Sequence, residues 1–258
     1  MPHRHLTVVV VAQTKFLGVP PEMYGETLPE DTDHGSDLAR LIECAGRECY
    51  DSYRTEKHRD SQSYHQHIKE VGHGSVTAHA TMSFLISGVS RNLTHELVRH
   101  GIGVAISQRS SRYCDESQSS VAWHPLLEKA LSHDDWAMLD NLVAAQQTAY
   151  LVLMEKVQDH LLRRGVSKLD AKKQARGAAR GILPTALSTG LIWTVNVRAL
   201  RHILEQRCCD AADGEIRELM CEIYLQAKDV CPEYFDDYEI SPASDGIGFC
   251  LQTRYRKI

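Results

Sequence analysis

The chain has 258 residues, of which 43% are hydrophobic and 24% are charged. It carries 29 Lys and Arg against 34 Asp and Glu, which gives a formal charge of −5. This composition excludes a disordered chain, a collagen and a coiled coil, and the mild negative charge argues against nucleic acid as a partner. No apolar run reaches the roughly 20 residues of a membrane span, so no membrane partner is expected.

The cysteines and the start of the chain predict a compartment. The eight cysteines include no CxxC pair, which argues against a zinc ribbon. The apolar run at residues 6–12 is short and no small-residue cleavage site follows it, so we interpret it as a strand and not a secretion signal. Reduced cysteines and a cytoplasmic location are therefore expected.

The first hundred residues predict an alternation of strands and helices. A valine-rich buried strand is expected over 6–13 and a proline-containing loop over 14–34. Ser36 is expected to cap a helix that reaches about Tyr50. A helix over 61–71, a strand over 81–87 and a helix from Ser90 to about His100 follow.

The rest of the chain is predicted to be mainly helical. Residues 101–122 are polar and are expected to form a long functional loop. Helices are predicted over 134–164, from Ser167 or Asp170 to Pro184, over 197–208 and over 210–230, with a strand over 186–195. Together these elements predict an α+β fold in a single domain over 1–258, with a helical subregion around 125–183.

Metal chemistry is not supported by any spacing. His95-Glu96 begins a zinc-peptidase-like motif, but Arg99 stands where the second histidine belongs. His65 and His67 are expected on a solvated helix face, and His79 is expected in the core. We therefore predict no metal site.

Three segments combine arginine with small polar residues: Arg99–Tyr113, Arg180–Pro184 and Asn196–Arg207. Guanidinium groups and hydroxyls suit phosphate oxygens and the carbonyl edge of a pyrimidine. Small or apolar neighbours surround Arg180, Arg198 and Arg207, and burial there would strip these charges of water unless an anion compensates them. A purely structural ion pair explains such an arginine about equally well.

Ordered motifs connect these segments to a known family. They are Gly72-His73-Gly74-Ser75-x3-His79, the stretch Gly88–His100, Ser107–Tyr113, Arg180-x3-Pro184 and Asn196-x-Arg198-x3-His202-x4-Arg207. In this order, over about residues 36 to 238, they resemble the flavin-dependent thymidylate synthase family. The resemblance implies a homotetramer with a central, mostly antiparallel sheet flanked by helices. It also implies FAD as cofactor, NADPH and methylenetetrahydrofolate as cosubstrates, and methylation of dUMP at C5 to give dTMP.

The resemblance also assigns roles to individual residues. Arg207 would be the catalytic group, stabilising the negative charge that develops on the pyrimidine ring. The residues matched to the cofactor site are Ser75, Arg99, His100, Gly101, Gln108, Asn196, Arg198, His202 and His73. Those matched to the nucleotide site are Glu96, Arg99, Gln108, Arg109, Ser110, Ser111, Arg112, Arg180 and Arg207. Arg207 lies about 180° around its helix from Arg198, so sites shared between subunits are expected.

Two positions depart from the family pattern. Gly101 stands where the family has a third arginine, and Ala78 stands where many members have glutamate. These departures leave open a UMP methylase, as in the nucleoside-antibiotic pathways, and a non-catalytic flavin- or nucleotide-binding homologue.

Overall fold

The computed structural model describes residues 5–19, 35–52 and 60–256. Its strands are β1 (Thr7–Gln13), β2 (Thr81–Ser90), β3 (Val104–Gln108), β4 (Ser188–Asn196), β5 (Glu239–Pro242) and β6 (Phe249–Gln252). Its α-helices are α1 (Asp37–Cys49), α2 (Ser61–Val71), α3 (Arg91–Leu97), α4 (Pro125–Ala130), α5 (His133–Arg163), α6 (Lys168–Ala179), α7 (Val197–Arg207), α8 (Gly214–Val230) and α9 (Pro232–Phe235). Short 3-10 turns cover Val76–Ala78 and Arg180–Ile182. This mixture of helix and strand confirms the predicted α+β class.

Capping side chains set several helix ends where the sequence predicts them. Ser36 Oγ accepts the amide of Ala39 at 3.2 Å, and Ser90 Oγ accepts the amide of Leu93 at 2.9 Å. Gly72 ends α2 in the left-handed conformation, with φ 71°, which glycine adopts without steric cost. These starts and stops depend on local chemistry, so the sequence alone predicts them.

Four strands form an antiparallel sheet in the order β1-β2-β4-β3. The prediction that the valine-rich first strand is buried is wrong, because β1 is an edge strand and its Val9 and Val11 side chains are exposed. The side chain of Gln226 on α8 bonds β1 instead, donating to Val8 O and accepting from Val10 N. A side chain that satisfies edge groups in this way also blocks further strand pairing.

Two segments hold strands that the sequence does not predict. The polar stretch 101–122 contains β3, and the tail contains an antiparallel hairpin of β5 and β6. Both are only four or five residues long, too short for a clear period-two pattern. Residues 20–34 of the predicted loop lie outside the described residues.

The chain divides into two compact units, and the proposal of a single domain stays a prediction. The described residues of the first unit are 5–6, 87–96 and 107–191. In it α5 packs against α6, with Tyr150, Ala171 and Ala175 buried. The second unit comprises the described parts of Thr7–Ile86, Leu97–Ile106 and Ile192–Ile258.

The core of the second unit is aromatic and aliphatic. Phe84 of β2 packs against Trp193 of β4 with ring centroids 6.1 Å apart, and α7 packs against α8. Leu200, Ile203 and Leu204 of α7 are buried. These buried side chains hold α7 in place, and α7 carries candidate site residues at both of its ends.

Across the residues that the structure describes, none of the helices combines enough length with enough apolar character to cross a membrane.

Candidate functional site

The predicted site residues fall into both units. The first unit holds Glu96, Gln108, Arg109, Ser110, Ser111, Arg112 and Arg180, whereas the second holds His73, Ser75, Arg99, His100, Gly101, Asn196, Arg198, His202 and Arg207. We call the set in the first unit the loop cluster, because most of its members follow β3. We call Arg99–Gly103 together with Asn196–Arg207 of the second unit the helix cluster.

Gln108, at the end of β3, is held by two threonine hydroxyls of the first unit. Its Nε2 approaches Thr94 Oγ1 at 3.3 Å and Thr189 Oγ1 at 3.4 Å. Both threonines are buried, and they come from α3 and β4. The amide is therefore oriented before any ligand binds, and an oriented amide can read a heterocycle edge or bond a ribose hydroxyl.

A tight turn follows Gln108 and brings hydroxyls and cations together. The amides of Tyr113 and Cys114 bond Ser110 O at 3.1 and 2.9 Å, and the amide of Arg112 bonds Ser110 Oγ at 3.4 Å. Arg112 is exposed, whereas Ser111 is buried. The turn thus fixes two serines beside an exposed guanidinium group.

Arg180 reaches the same turn from the end of α6. Its Nη1 donates to Ser111 Oγ at 3.3 Å. Arg112 passes close to Gly177 of α6, where an added Cβ would lie 3.7 Å from Arg112 Nε. The structure therefore brings Arg112, Ser111 and Arg180 together, although about seventy residues separate the turn from Arg180.

A buried carboxylate that the sequence did not point to pairs with two arginines of this unit. Glu116 has no exposed surface, and its two oxygens lie 3.1 Å from Arg91 Nη2 and 3.4 Å from Arg109 Nη2. Arg91 also donates to Arg109 O at 3.1 Å. Arg91 lies within a motif that carries the family resemblance, but only the fold shows what it contacts.

Arg109 also lines a polar cavity of about 480 Å³, together with Ser119, Ser120 and Ser188. Arg109 is exposed, with 44% of its side chain accessible. The cavity presents hydroxyls, the Arg109 cation and the carboxylate of Asp115 to solvent, and the hydroxyls and the cation are groups that bind phosphate or ribose.

The helix cluster centres on one contact between two half-buried side chains. Arg207 Nε donates to His100 Nε2 at 2.9 Å, joining the last turn of α7 to the segment after α3. Burial lowers the pKa of His100 below its usual 6.5, and the nearby charges of Arg207 and His202 lower it further. The imidazole is therefore favoured in its neutral form, which can accept the guanidinium N–H.

The glycines of this segment have different surroundings. Gly103 has φ +74°, and an added Cβ would lie 2.7 Å from Asn196 Nδ2. Asn196 caps α7 by accepting the amide of Ala199 at 2.8 Å, and its own amide donates to Gly103 O at 3.0 Å. Gly101, which replaces the family's third arginine, has nothing within 4 Å of an added Cβ.

The expectation that Arg180, Arg198 and Arg207 are buried is wrong for two of them. Arg180 and Arg198 are exposed and Arg207 is half-buried. Among the residues that the structure describes, three other arginines are buried, and each forms an ion pair with a carboxylate of the same chain: Arg47 with Glu43, Arg201 with Asp237, and Arg217 with Asp245. Small or apolar neighbours in sequence did not predict burial, because exposure of a helical side chain depends on the helix face it occupies.

α7 is continuous through Arg198 and Arg207, so these two guanidinium groups point to opposite sides of one helix. His202, four residues after Arg198, lies on the Arg198 side and is exposed.

Two histidine predictions are wrong in opposite directions. His65, expected on a solvated face, is only 3% exposed and contacts Tyr234 Oη through Nδ1 at 2.9 Å. His79, expected in the core, is exposed. His73 stacks on Tyr50 with ring centroids 5.9 Å apart, a contact that no motif predicted.

The helix cluster has the donor chemistry that a flavin dinucleotide needs. Arg99, Arg198 and His202 are exposed, and cationic donors of this kind suit the pyrophosphate of FAD. The His73–Tyr50 pair adds a flat aromatic surface in the same unit. These residues therefore fit the group that the resemblance implies.

An α+β fold with two arginine-rich clusters has the chemistry of a protein that binds anionic ligands. Comparison with known sequences identifies the family. A family model described as thymidylate synthase complementing protein matches residues 32–233. The chain is 39% identical over 246 residues to the flavin-dependent thymidylate synthase of Mycolicibacterium gilvum (strain PYR-GCK), covering 93% of each chain. It is 40% identical over 247 residues to that of Mycobacterium sp. (strain JLS), again covering 93% of each chain. The chain belongs to the flavin-dependent thymidylate synthase family, which is a family of enzymes.

Proposed function

We propose that this protein methylates C5 of dUMP to give dTMP, using FAD as cofactor, NADPH as reductant and methylenetetrahydrofolate as carbon donor. The observation that carries the proposal is the 39% identity, over 93% of both chains, to a flavin-dependent thymidylate synthase. The two arginine clusters supply the chemistry that such a reaction needs.

The loop cluster is proposed to hold the nucleotide through its phosphate. Ser110 and Ser111 offer hydroxyls and Arg112 and Arg180 offer charge, and the Arg180–Ser111 bond at 3.3 Å keeps two of these groups together. Bidentate guanidinium groups bind phosphate oxygens strongly. Gln108, Arg109, Glu96 and Arg99 are proposed to complete the contacts to the nucleotide.

Arg207 is proposed to act on the pyrimidine. Forming a bond at C5 pushes ring electrons onto the carbonyl and imide edge, and a fixed guanidinium group stabilises the charge that develops there. A half-buried cation does this better than an exposed one, because the surrounding dielectric is lower. No cysteine nucleophile is required in this scheme.

FAD, when bound, would supply hydride chemistry that this chain's own side chains lack. Ser75, His100, Gly101, Asn196, Arg198, His202 and His73 are proposed to hold it, with Arg99 and Gln108 shared between cofactor and nucleotide. Arg198 and His202 occupy one side of α7 and suit the pyrophosphate.

We further propose that the protein is a cytoplasmic homotetramer whose subunits each act as a single domain over 1–258. Large apolar side chains on α5 support assembly of copies, because Met138, Leu142, Leu151, Val152, Leu153 and Leu162 are exposed in the single chain. Large apolar side chains exposed along one helix commonly mark an interaction surface. Light scattering coupled to gel filtration would give the mass directly.

The decisive experiment is turnover of dUMP and UMP side by side. The purified protein should carry a flavin spectrum and release tritium from 5-tritiated dUMP in the presence of NADPH and methylenetetrahydrofolate. Preference for UMP would favour the antibiotic-pathway type of reaction, which Gly101 leaves open. Flavin without tritium release from either nucleotide would establish the non-catalytic homologue and overturn the proposal.

A further inference from the structure

The Arg207–His100 hydrogen bond has a direction, and the direction depends on protonation. Arg207 Nε can only donate, so the 2.9 Å contact requires His100 Nε2 to be an acceptor. A neutral imidazole with its proton on Nδ1 satisfies this requirement. A protonated imidazole does not, because both of its nitrogens donate and its charge repels the guanidinium group.

We propose that His100 is a positioning residue for Arg207: its neutral imidazole fixes the guanidinium group that acts on the pyrimidine, and protonation releases that group. This inference rests on the proposed function, and it adds a second role to the flavin contact that the resemblance assigns to His100.

The backbone around His100 is tied down at both ends. The His100 amide donates to Leu97 O at 3.2 Å, at the end of α3, and Gly103 O accepts the Asn196 amide at 3.0 Å, at the start of α7. The imidazole is therefore carried by a braced segment. An arginine side chain loses rotamer entropy when it is ordered, so a braced acceptor favours one orientation of Arg207 before the substrate arrives.

The described neighbours of His100 act on its pKa in the same direction. Within residues 5–19, 35–52 and 60–256, the charged and titratable groups that influence its ring are Arg207 and His202, both on α7, and both lower its pKa, as burial does. His202 in turn contacts the amide of Gln206 through Nε2 at 3.0 Å. These groups keep His100 neutral at neutral pH, and acidification is required to break the contact.

The test uses two variants that distinguish the hydrogen-bond acceptor at position 100 from the titrating imidazole ring. His100→Gln places a non-titrating amide near the position of Nε2, whereas His100→Leu removes the acceptor. FAD-loaded protein is titrated with dUMP by calorimetry, and turnover is measured, at several values between about pH 8 and about pH 5.5. Flavin occupancy is recorded for each variant from its absorbance. His95→Gln, on the exposed surface of α3, is the matched control.

The wild-type protein should lose dUMP affinity and kcat on acidification, each by about tenfold, with a midpoint below that of a free histidine. His100→Gln should lose this acid dependence relative to the wild type, as judged from the ratio of its own kcat at about pH 8 to its kcat at about pH 5.5. His100→Leu should retain FAD and lose at least about tenfold in kcat across the range. His95→Gln should keep the wild-type profile. The variants and the wild type are compared at the same pH with the same nucleotide, so titration of the dUMP phosphate affects all of them equally.

An unchanged acid limb in His100→Gln would overturn the inference, as would wild-type kcat in His100→Leu. Loss of FAD in both variants would also overturn it, because flavin contact would then explain the effect. If the wild-type protein showed no turnover while its dUMP affinity still fell with pH in a His100-dependent way, the proposed function would fail and the positioning role would stand.

Discussion

Ser111 and Arg180 lie 69 positions apart in sequence and share a hydrogen bond of 3.3 Å. The bond ties the turn after β3 to the end of α6, and it sets a buried hydroxyl against an exposed guanidinium group. The sequence identifies both residues as members of separate motifs, but only the fold brings the two side chains together, in an arrangement that suits a phosphate group.

Arg180→Ala should weaken dUMP binding by about tenfold at low salt, because one phosphate contact is lost. The loss should shrink as salt rises, since screening already weakens the contact in the wild type. Calorimetric titration at several salt concentrations measures both effects. Arg163→Ala, at the exposed end of α5, is the control and should bind as the wild type does. Equal affinity of Arg180→Ala and the wild type would contradict the phosphate role.

Arg207→Ala should abolish measurable tritium release while the purified protein keeps its flavin spectrum. Loss of one fixed charge-stabilising donor commonly costs about a hundredfold or more in kcat. Arg207→Lys keeps the charge but cannot donate from Nε to His100, so it should recover only part of the activity. A colourless Arg207→Ala protein would show that Arg207 serves the cofactor instead.

Gly101 and Gly103 form a matched pair for substitution. Gly101→Arg should fold with wild-type stability, since an added Cβ meets nothing within 4 Å, and it should tighten FAD by adding a cation to the helix cluster. Gly103→Ala should lose about 1–3 kcal/mol of unfolding free energy, because φ is +74° and the Cβ would press on Asn196. Urea unfolding and flavin titration measure both effects. Equal stability of the two variants would show that Asn196 gives way to the added methyl group.

Glu116→Gln should destabilise the protein by about 1–3 kcal/mol, because it removes the countercharge of two arginines from a fully buried position. This loss of unfolding free energy is smaller than for a wholly buried pair, since Arg91 and Arg109 retain partial exposure. Nucleotide affinity should fall as well, because Arg109 loses its anchor. Glu128→Gln, on exposed α4, should leave the unfolding midpoint unchanged. An unfolding midpoint of Glu116→Gln equal to that of the wild type would contradict this prediction, because it would mean that water replaces the carboxylate as partner of the two arginines.

Because His65 is buried, the protein should lose stability as the pH falls. Burial lowers the pKa of His65 from 6.5 to about 4, so between these values the unfolded chain binds a proton that the folded chain does not. The stability associated with neutral His65 is fully present above pH 6.5 and is lost as the pH falls towards 4. The full loss amounts to about 3 kcal/mol.

His65→Asn keeps an acceptor for Tyr234 near Nδ1 without titrating, so it should flatten the dependence of unfolding free energy on pH in this window. His133→Asn, at a fully exposed position, is the control and should keep the wild-type slope. A wild-type slope in His65→Asn would assign the acid sensitivity to other groups.

Sequence alone determined the features that depend on a few neighbouring residues. Helix starts at Ser36 and Ser90, the stop at Gly72 and the spacing of the arginine motifs are all local, because caps and turns are satisfied within four residues. The motifs were also sufficient to indicate the family, which the comparisons confirmed.

Only the tertiary structure decided which arginines lose water and which polar groups meet. Arg201 is buried and Arg198, three residues earlier, is exposed, because one faces Asp237 and the packed interior of the second unit while the other does not. The Glu116 and His100 contacts are likewise invisible in sequence. Hydration and hydrogen bonding of a side chain depend on atoms brought close by folding, and those atoms come from positions tens to hundreds of residues away.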